Sequence, residues 1–229
     1  GIGVYNLHHN SGATSQTAIA MMLAVTRRIV KMDREFRGGS WRARFEGVDT
    51  MTLEGKTAVV LGFGEIGKKV GAACEVMGMR VIGVSRSNGV LLDEALQHAD
   101  VLHVCLPLTE ETRGLLSREK LALMPDGAVV VNVGRGAIIE EHALFDELLS
   151  GRFFGAGLDV WWKYPEEGGP IDLAPGDCDW ASLENVVMTP HRGGTGVGEL
   201  ARWRAVREIL DAMLAGDFEM NRVNLELGY

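Results

Sequence analysis

The stretch VVLGFGEIGKKVG, residues 59–71, decides the fold. A short β-branched run leads into Gly62, Gly64 and Gly67, spaced G-x-G-x-x-G, and a helical pattern follows. The spacing alone is a weak signal, because glycine is common. Its position, after a predicted strand and at the start of a predicted helix, is the context that a dinucleotide-binding turn requires. Gly62 allows the tight turn, Gly64 the close approach of a pyrophosphate, and Gly67 the close packing of helix on sheet. Free N–H groups around Glu65 and Ile66, together with the helix dipole, suit phosphate charge.

A rhythm extends outward from this turn. Short apolar runs at 57–62, 80–85, 100–107, 127–133, 155–160 and 185–190 read as strands. Helical segments at 65–78, 92–98, 117–123, 140–150 and 197–215 separate or follow them. Strands without polar alternation, divided by helices, predict an α/β, Rossmann-like doubly wound parallel sheet covered on both faces. Residues 13–30 read as one helix with two apolar faces, one through Ala18, Met22, Val25 and Ile29 and one through Ile19, Leu23 and Val30. Such a helix is either buried between two layers or shared with a second subunit. The polar arm at 31–55 reads as loose, anchored by Trp41 and Phe45.

Bulk properties set limits. The 229 residues carry a formal net charge of −8 with scattered acids, which argues against nucleic acid or an anionic membrane as the main partner. The run AIAMMLAV, 18–25, is far shorter than the ~20 residues of a membrane span. Cys74, Cys105 and Cys178 have no zinc-ligand or redox-motif spacing and read as free thiols in a reducing cytoplasm. No metal site is expected.

The end of the second strand bears on the cofactor. An NAD site usually has an acid there, roughly 20 residues past the glycines, bonding the ribose hydroxyls. This chain has Ser85-Arg86-Ser87. An arginine flanked by hydroxyls suits a 2′-phosphate, so NADP is favoured, with NAD the alternative. NVGRG, 132–136, ends the fourth strand and directs Arg135 to the sheet edge where ligands bind. Its planar fork matches a carboxylate. TPHRGG, 189–194, ends the last strand and brings His191 to the same edge. An imidazolium can supply a proton there.

These motifs, with LHHNSGATSQTA, ADVLHVCLPLTEETRGLL, MPDGAVVVNVGRGAIIEEHAL and GAGLDV, make the chain resemble the D-isomer-specific 2-hydroxyacid dehydrogenases. The resemblance implies a division into three parts. Residues 1–12 would be a remnant of the substrate domain and the crossover from it. Residues 13–194 would be the NAD(P)-binding domain, with a dimerisation helix and arm at 13–55. Residues 195–229 would be a helix and tail returning to the substrate domain. Most of the substrate domain precedes this point in the family, so a shortened chain or gene fragment is expected. A homodimer paired through 13–55 is also implied.

Further roles carry over by match. Asp159 would contact the nicotinamide carboxamide, Leu106 and Pro107 would lie along the adenosine, and Thr112 would lie near the phosphates. Val133 and Gly134 would frame the nicotinamide ribose, and Gly193 would lie close to the nicotinamide. The implied reaction is hydride transfer between NAD(P)H and a small 2-keto acid or D-2-hydroxy acid. His191 would donate the proton and Arg135 would hold the carboxylate. The family's catalytic Glu falls here on Tyr164, with Glu166 and Glu167 just beyond Pro165. Three outcomes follow: Glu166 or Glu167 reaches back to His191, Tyr164 substitutes as a neutral hydrogen-bond partner, or the pair is broken. Trp161 and Trp162 either line and dry the cleft or simply pack. The rival readings are a non-catalytic nucleotide-binding dimer, acting as sensor or corepressor-like scaffold, and a relative acting on a small anion such as phosphite or formate.

Overall fold

The computed structural model describes residues 2–86 and 89–225, so Ser87, expected at the cofactor ribose, lies outside the described residues. Six parallel strands form one sheet: β1 (Thr57–Leu61), β2 (Arg80–Val84), β3 (Val101–Val104), β4 (Val129–Asn132), β5 (Gly155–Leu158) and β6 (Val186–Met188). Their order is β2-β1-β3-β4-β5-β6. The chain moves outward from β1 to β2 and then crosses back to β3 on the other side of β1. The carboxyl ends of β1 and β3 are therefore a topological switch point, where sheets of this kind bind ligands.

Helices cover both faces. On one lie α1 (Ser11–Thr26) and α4 (Glu65–Val76), over a core that includes Met22, Val60, Val70 and Val131. On the other lie α5 (Leu92–Leu96), α6 (Arg118–Ala122) and α7 (Glu141–Leu149), over Leu102, Leu121, Leu144, Phe153 and Trp180. The inner strands β1, β3, β4 and β5 are buried on both faces, which explains their apolar runs without alternation. The glycines of β5 let α1 lie directly on the sheet. A Cβ at Gly157 would come within 2.7 Å of Met21 Cβ, and one at Gly155 within 2.8 Å of Val25 Cγ1.

The single helix expected over 13–30 is corrected. α1 stops at Thr26, Arg28 takes φ 53°, and α2 (Ile29–Arg37) starts afresh. The Arg28 guanidinium accounts for the break. It donates to the Phe154 carbonyl oxygen at 3.0 Å and lies 3.9 Å from the Phe154 ring centroid, which pulls the backbone out of the helical path. The arm is also less loose than expected, since it contains α2 and α3 (Arg42–Phe45), with Phe36 and Trp41 packed edge to face at 4.9 Å. Ile29, Phe36, Trp41 and Phe45 remain exposed. After β6 comes α8 (Glu199–Leu214), which buries only Ala205 and Ile209. The chain ends meet beside it: Tyr5 bridges antiparallel to Arg222, and the Val223 N–H donates to the Val4 carbonyl at 2.8 Å. Among the described residues no helix is long and apolar enough to cross a membrane.

One core residue carries a pH signature. His103 in β3 is fully buried, its Nε2 lies 3.7 Å from Cys74 Sγ, and its Nδ1 has no partner among the described residues. Burial pushes this imidazole down from 6.5 to about 4. Between those values the unfolded chain binds the proton and the folded one does not, so stability is full above pH 6.5 and falls as pH drops towards 4. The full loss is on the order of 3 kcal/mol, at about 1.36 kcal/mol per pH unit. Urea unfolding of wild type and His103→Leu across this range checks it: the acid decline should flatten in the variant, and an identical decline in both would refute the assignment.

Candidate active site at the carboxyl edge of the sheet

The glycine turn forms one wall of a cleft of about 690 Å³. Gly62 has φ 95°, a conformation open to glycine but costly for other residues. A Cβ there would also meet the Cys105 carbonyl carbon at 2.8 Å. At Gly67 a Cβ would lie 2.1 Å from the Gly62 carbonyl oxygen. At Gly64, by contrast, a Cβ would meet nothing within 4 Å, because the space in front of it is the cleft. Gly64 is the N-cap of α4, and no side chain caps the helix there. The N–H groups of Glu65, Ile66 and Gly67 thus begin the helix beside an open space, an arrangement that fits the pyrophosphate of a dinucleotide. Glu65 itself is held charged by Lys69, 3.2 Å away, with its carboxyl below the usual range.

Leu106 and Pro107 form the facing wall, with Val133, Gly134 and Arg135 beyond them. Cys105 also lines this wall, and burial pushes its thiol up to about 12, so it stands as a neutral thiol. Four lining residues were not assigned to the site from the sequence. Asn6, His8, Asn221 and Arg222 come from the paired chain ends and close one side of the cleft.

Two buried polar side chains set the functional turns. Asn132, wholly buried at the end of β4, accepts the Gly134 N–H and donates to the Arg135 carbonyl, both at 3.0 Å. This folds NVGRG back and leaves the Arg135 side chain exposed at the cleft. Its only signal was a polar residue closing a valine run.

Asp159, 2% exposed just past β5, does the same for the histidine turn. One carboxylate oxygen accepts the Thr189 hydroxyl at 2.6 Å and the Arg192 N–H at 2.8 Å, and the other accepts the Gly193 N–H at 2.8 Å. Gly193 is packed so closely that a Cβ would lie 2.5 Å from that carboxylate. His191, in the middle of the turn, has φ 55° and is exposed. Asp159 was expected at the nicotinamide carboxamide, and in this structure its oxygens hold the His191 turn.

The neighbouring tryptophans pack and also donate. Trp161 Nε1 donates to the Thr189 carbonyl at 2.9 Å, and Trp162 Nε1 to the Ile139 carbonyl at 2.8 Å. Trp162 stacks on Trp180 at 5.1 Å. Each indole therefore pins the backbone of one functional turn.

Tyr164 comes to His191 through its ring, with centroids 5.5 Å apart and planes tilted by 54°. Its hydroxyl accepts the Trp161 N–H at 2.9 Å. Glu166 and Glu167 are exposed, and among the described residues neither makes a hydrogen bond or ion pair with His191.

Two expected cofactor residues are engaged within the protein. The Thr112 hydroxyl donates to the Pro107 carbonyl at 2.8 Å and accepts the Thr109 N–H at 2.8 Å, which shapes the loop after β3. Arg86, one residue past half-buried Ser85, forms an ion pair with Glu111. Among the described residues no group of three or more acids, histidines or cysteines is placed to hold a metal.

Sequence comparison agrees with this geometry. A profile of the D-isomer specific 2-hydroxyacid dehydrogenase NAD binding domain matches residues 19–193. The chain is 34% identical to D-3-phosphoglycerate dehydrogenase of Methanocaldococcus jannaschii, over 94% of this chain and 42% of that protein. It is 32% identical to glyoxylate reductase of Pyrococcus furiosus, over 95% of this chain and 67% of that one. It therefore spans about four tenths to two thirds of these curated relatives. Among solved structures, a D-isomer specific 2-hydroxyacid dehydrogenase from Xanthobacter autotrophicus, in complex with NADPH and MES, superposes with TM-score 0.81 at 29% identity, covering all of this chain and 94% of that one.

If Asp159 organises the histidine turn, Asp159→Asn sets an amide NH₂ against a backbone or hydroxyl donor and leaves one buried donor unpaired. The expected loss is about 1–3 kcal/mol of stability, read from urea unfolding. Wild-type stability in the variant would remove the anchoring role.

Proposed function

Because this chain belongs to the D-isomer specific 2-hydroxyacid dehydrogenase family, we propose that it serves reversible reduction of a small 2-keto acid to a D-2-hydroxy acid, with NADP favoured over NAD. The observation that carries this reading is that Arg135 and His191 leave β4 and β6 at the same sheet edge as the Gly62–Gly67 turn. The dinucleotide supplies hydride when bound. Arg135 pairs its planar fork with the substrate carboxylate and fixes the keto group. His191 as imidazolium holds a proton towards the keto oxygen, where negative charge develops during reduction. The residues assigned to the dinucleotide are Gly62, Gly64, Glu65, Ile66, Gly67, Leu106, Pro107, Val133 and Gly134, with Ser85 and Arg86 at the adenosine ribose. NADPH in the Xanthobacter relative supports the choice of cofactor, as does the lack of an acid at the end of β2. Residues 1–12 and 195–229 correspond to the crossover from the substrate domain of longer relatives and to the helix and tail that return to it.

The test is dinucleotide oxidation with glyoxylate, hydroxypyruvate, 3-phosphohydroxypyruvate and pyruvate, and dinucleotide reduction with phosphite and formate. His191→Ala should lower kcat/KM for the best keto acid by about 10²–10⁴-fold, with dinucleotide affinity retained. Binding without turnover of any of these would favour the scaffold reading, and turnover of phosphite or formate alone would favour the small-anion reading.

Tyr164 offers a separate check. A carboxylate beside an imidazole favours its protonated form, and the ring of Tyr164 does not supply that charge. Tyr164→Glu should carry reduction to higher pH, while Glu166→Gln and Glu167→Gln leave the pH profile of kcat/KM unchanged. A shift caused by either Gln substitution would mean that the carboxylate has moved along the loop.

We propose, too, that two copies pair through α1–α3. Ile29, Phe36, Trp41 and Phe45 are each at least half exposed, an unusual concentration of apolar surface for one arm. A pairing of this kind buries more than about 2,000 Å². Sedimentation equilibrium should find a dimer, and a monomer at micromolar concentration would reject the pairing.

A further inference from the structure

The Arg86–Glu111 pair lies at the side of the cleft assigned to the adenosine. Arg86 leaves β2 and Glu111 leaves β3, and these strands flank β1 on opposite sides. Val84, Leu61 and Val104 are in register across the three strands. The pair therefore spans two strand spacings, about 10 Å, past the end of β1 where the glycine turn begins.

Glu111 is carried by a firm support. The buried Thr112 hydroxyl ties together the Pro107 carbonyl and the Thr109 N–H, and the Arg113 N–H closes the turn onto the Thr109 carbonyl at 3.0 Å. Both charged side chains are substantially exposed, at 43% and 69%. An exposed pair of this kind contributes little to fold stability. What it does show is a carboxylate held by the guanidinium.

We propose that Glu111 is a specificity-determining residue that competes with the 2′-phosphate of NADP(H) for Arg86. This rests on the reading of the cleft as a dinucleotide site. A carboxylate and a phosphate monoester both pair with a guanidinium fork. A phosphate monoester carries about −1.5 to −2 charges at neutral pH, so it and the Glu111 carboxylate repel each other and do not share one guanidinium without cost. NADP(H) binding exchanges one anion for the other. NAD(H), with a neutral 2′-hydroxyl, leaves the Arg86–Glu111 pair in place. Glu111 thus narrows the preference for NADP(H) that Arg86 alone would give.

The experiment is titration of NADPH and NADH into wild type, Glu111→Gln, Arg86→Ala and the double variant, followed by nicotinamide fluorescence at low and high salt. Glu111→Gln should tighten NADPH about two- to fivefold and leave NADH unchanged. Arg86→Ala should weaken NADPH about tenfold. In the Arg86→Ala background the gain from the Glu111 substitution should shrink, since the competition for the guanidinium is gone and only the screened repulsion between carboxylate and phosphate is left. High salt should shrink the Glu111→Gln gain. An unchanged NADPH affinity in Glu111→Gln, an equal gain for NADH, or a gain undiminished without Arg86 would overturn the proposal. Failure of wild type to bind either dinucleotide would instead overturn the reading of the cleft, and this inference with it.

Discussion

The contact between Gly67 and the Gly62 carbonyl constrains everything at the functional edge. A Cβ at Gly67 would lie 2.1 Å from that oxygen, so the first turn of α4 sits directly against the end of β1. That seat points the helix's first N–H groups out of the sheet edge and not into a covering side chain. It also fixes the backbone at Gly64, whose open front is the cleft itself. The sheet order then sets what faces this wall. β3 runs beside β1, so the Leu106–Pro107 wall is a direct neighbour, and β4 follows with Arg135.

The Arg135 and His191 turns are held by a different device. Asn132 and Asp159 sit at the ends of adjacent strands, and Asp159 N–H donates to the Asn132 carbonyl at 3.1 Å. Each uses its side chain to gather backbone groups of an irregular turn that no ladder can satisfy. Trp161 and Trp162 extend the arrangement by donating to the Thr189 and Ile139 carbonyls from a packed aromatic cluster. The His191 backbone, at φ 55°, is a conformation that costs a β-carbon residue of order 1–3 kcal/mol and persists only where its surroundings over-determine it. Asp159, Trp161 and Gly193 are those surroundings. His191 and Arg135 are exposed, while the groups that hold their turns are buried.

This division explains what was legible in the sequence. All six strands were readable, because short apolar runs recur between helical segments, four of them buried throughout and the edge strands β2 and β6 in part. The glycine turn was readable because its spacing and its strand–helix context coincide. Arg135 and His191 stood out as polar residues at strand ends. What the sequence hid were relations between distant positions. The helix break at Arg28 depends on Phe154, far along the chain. Arg86 could be read as a phosphate ligand, but its pairing with Glu111 could not, because β2 and β3 are neighbours only across β1. The inward bonds of the Thr112 hydroxyl and the Asp159 carboxylate were hidden as well, because they join loops that an extended chain does not bring together. His8 and Arg222 reach the cleft only through the pairing of the two chain ends.

Tyr164 shows how one substitution is accommodated without loss of the frame. At this position a carboxylate would meet the imidazole by charge. The phenol ring lies tilted beside it, and its hydroxyl turns back to accept the Trp161 N–H. That hydrogen bond ties Tyr164 to the same residue whose indole holds the Thr189 carbonyl, so the ring is fixed relative to the histidine turn. The loop beyond it is anchored elsewhere. Buried Glu141 accepts the Asp177 and Cys178 N–H groups and the Trp180 indole N–H, at 2.7–3.0 Å, and the Trp162 and Lys163 N–H groups donate to the Pro175 carbonyl. The acids Glu166 and Glu167 therefore lie on the outward part of a loop clamped at both ends, while the ring occupies the place beside His191. Positioning and charge, which a carboxylate would supply together, are separated here: the aromatic contact keeps the first, and the phenol brings no charge to the second.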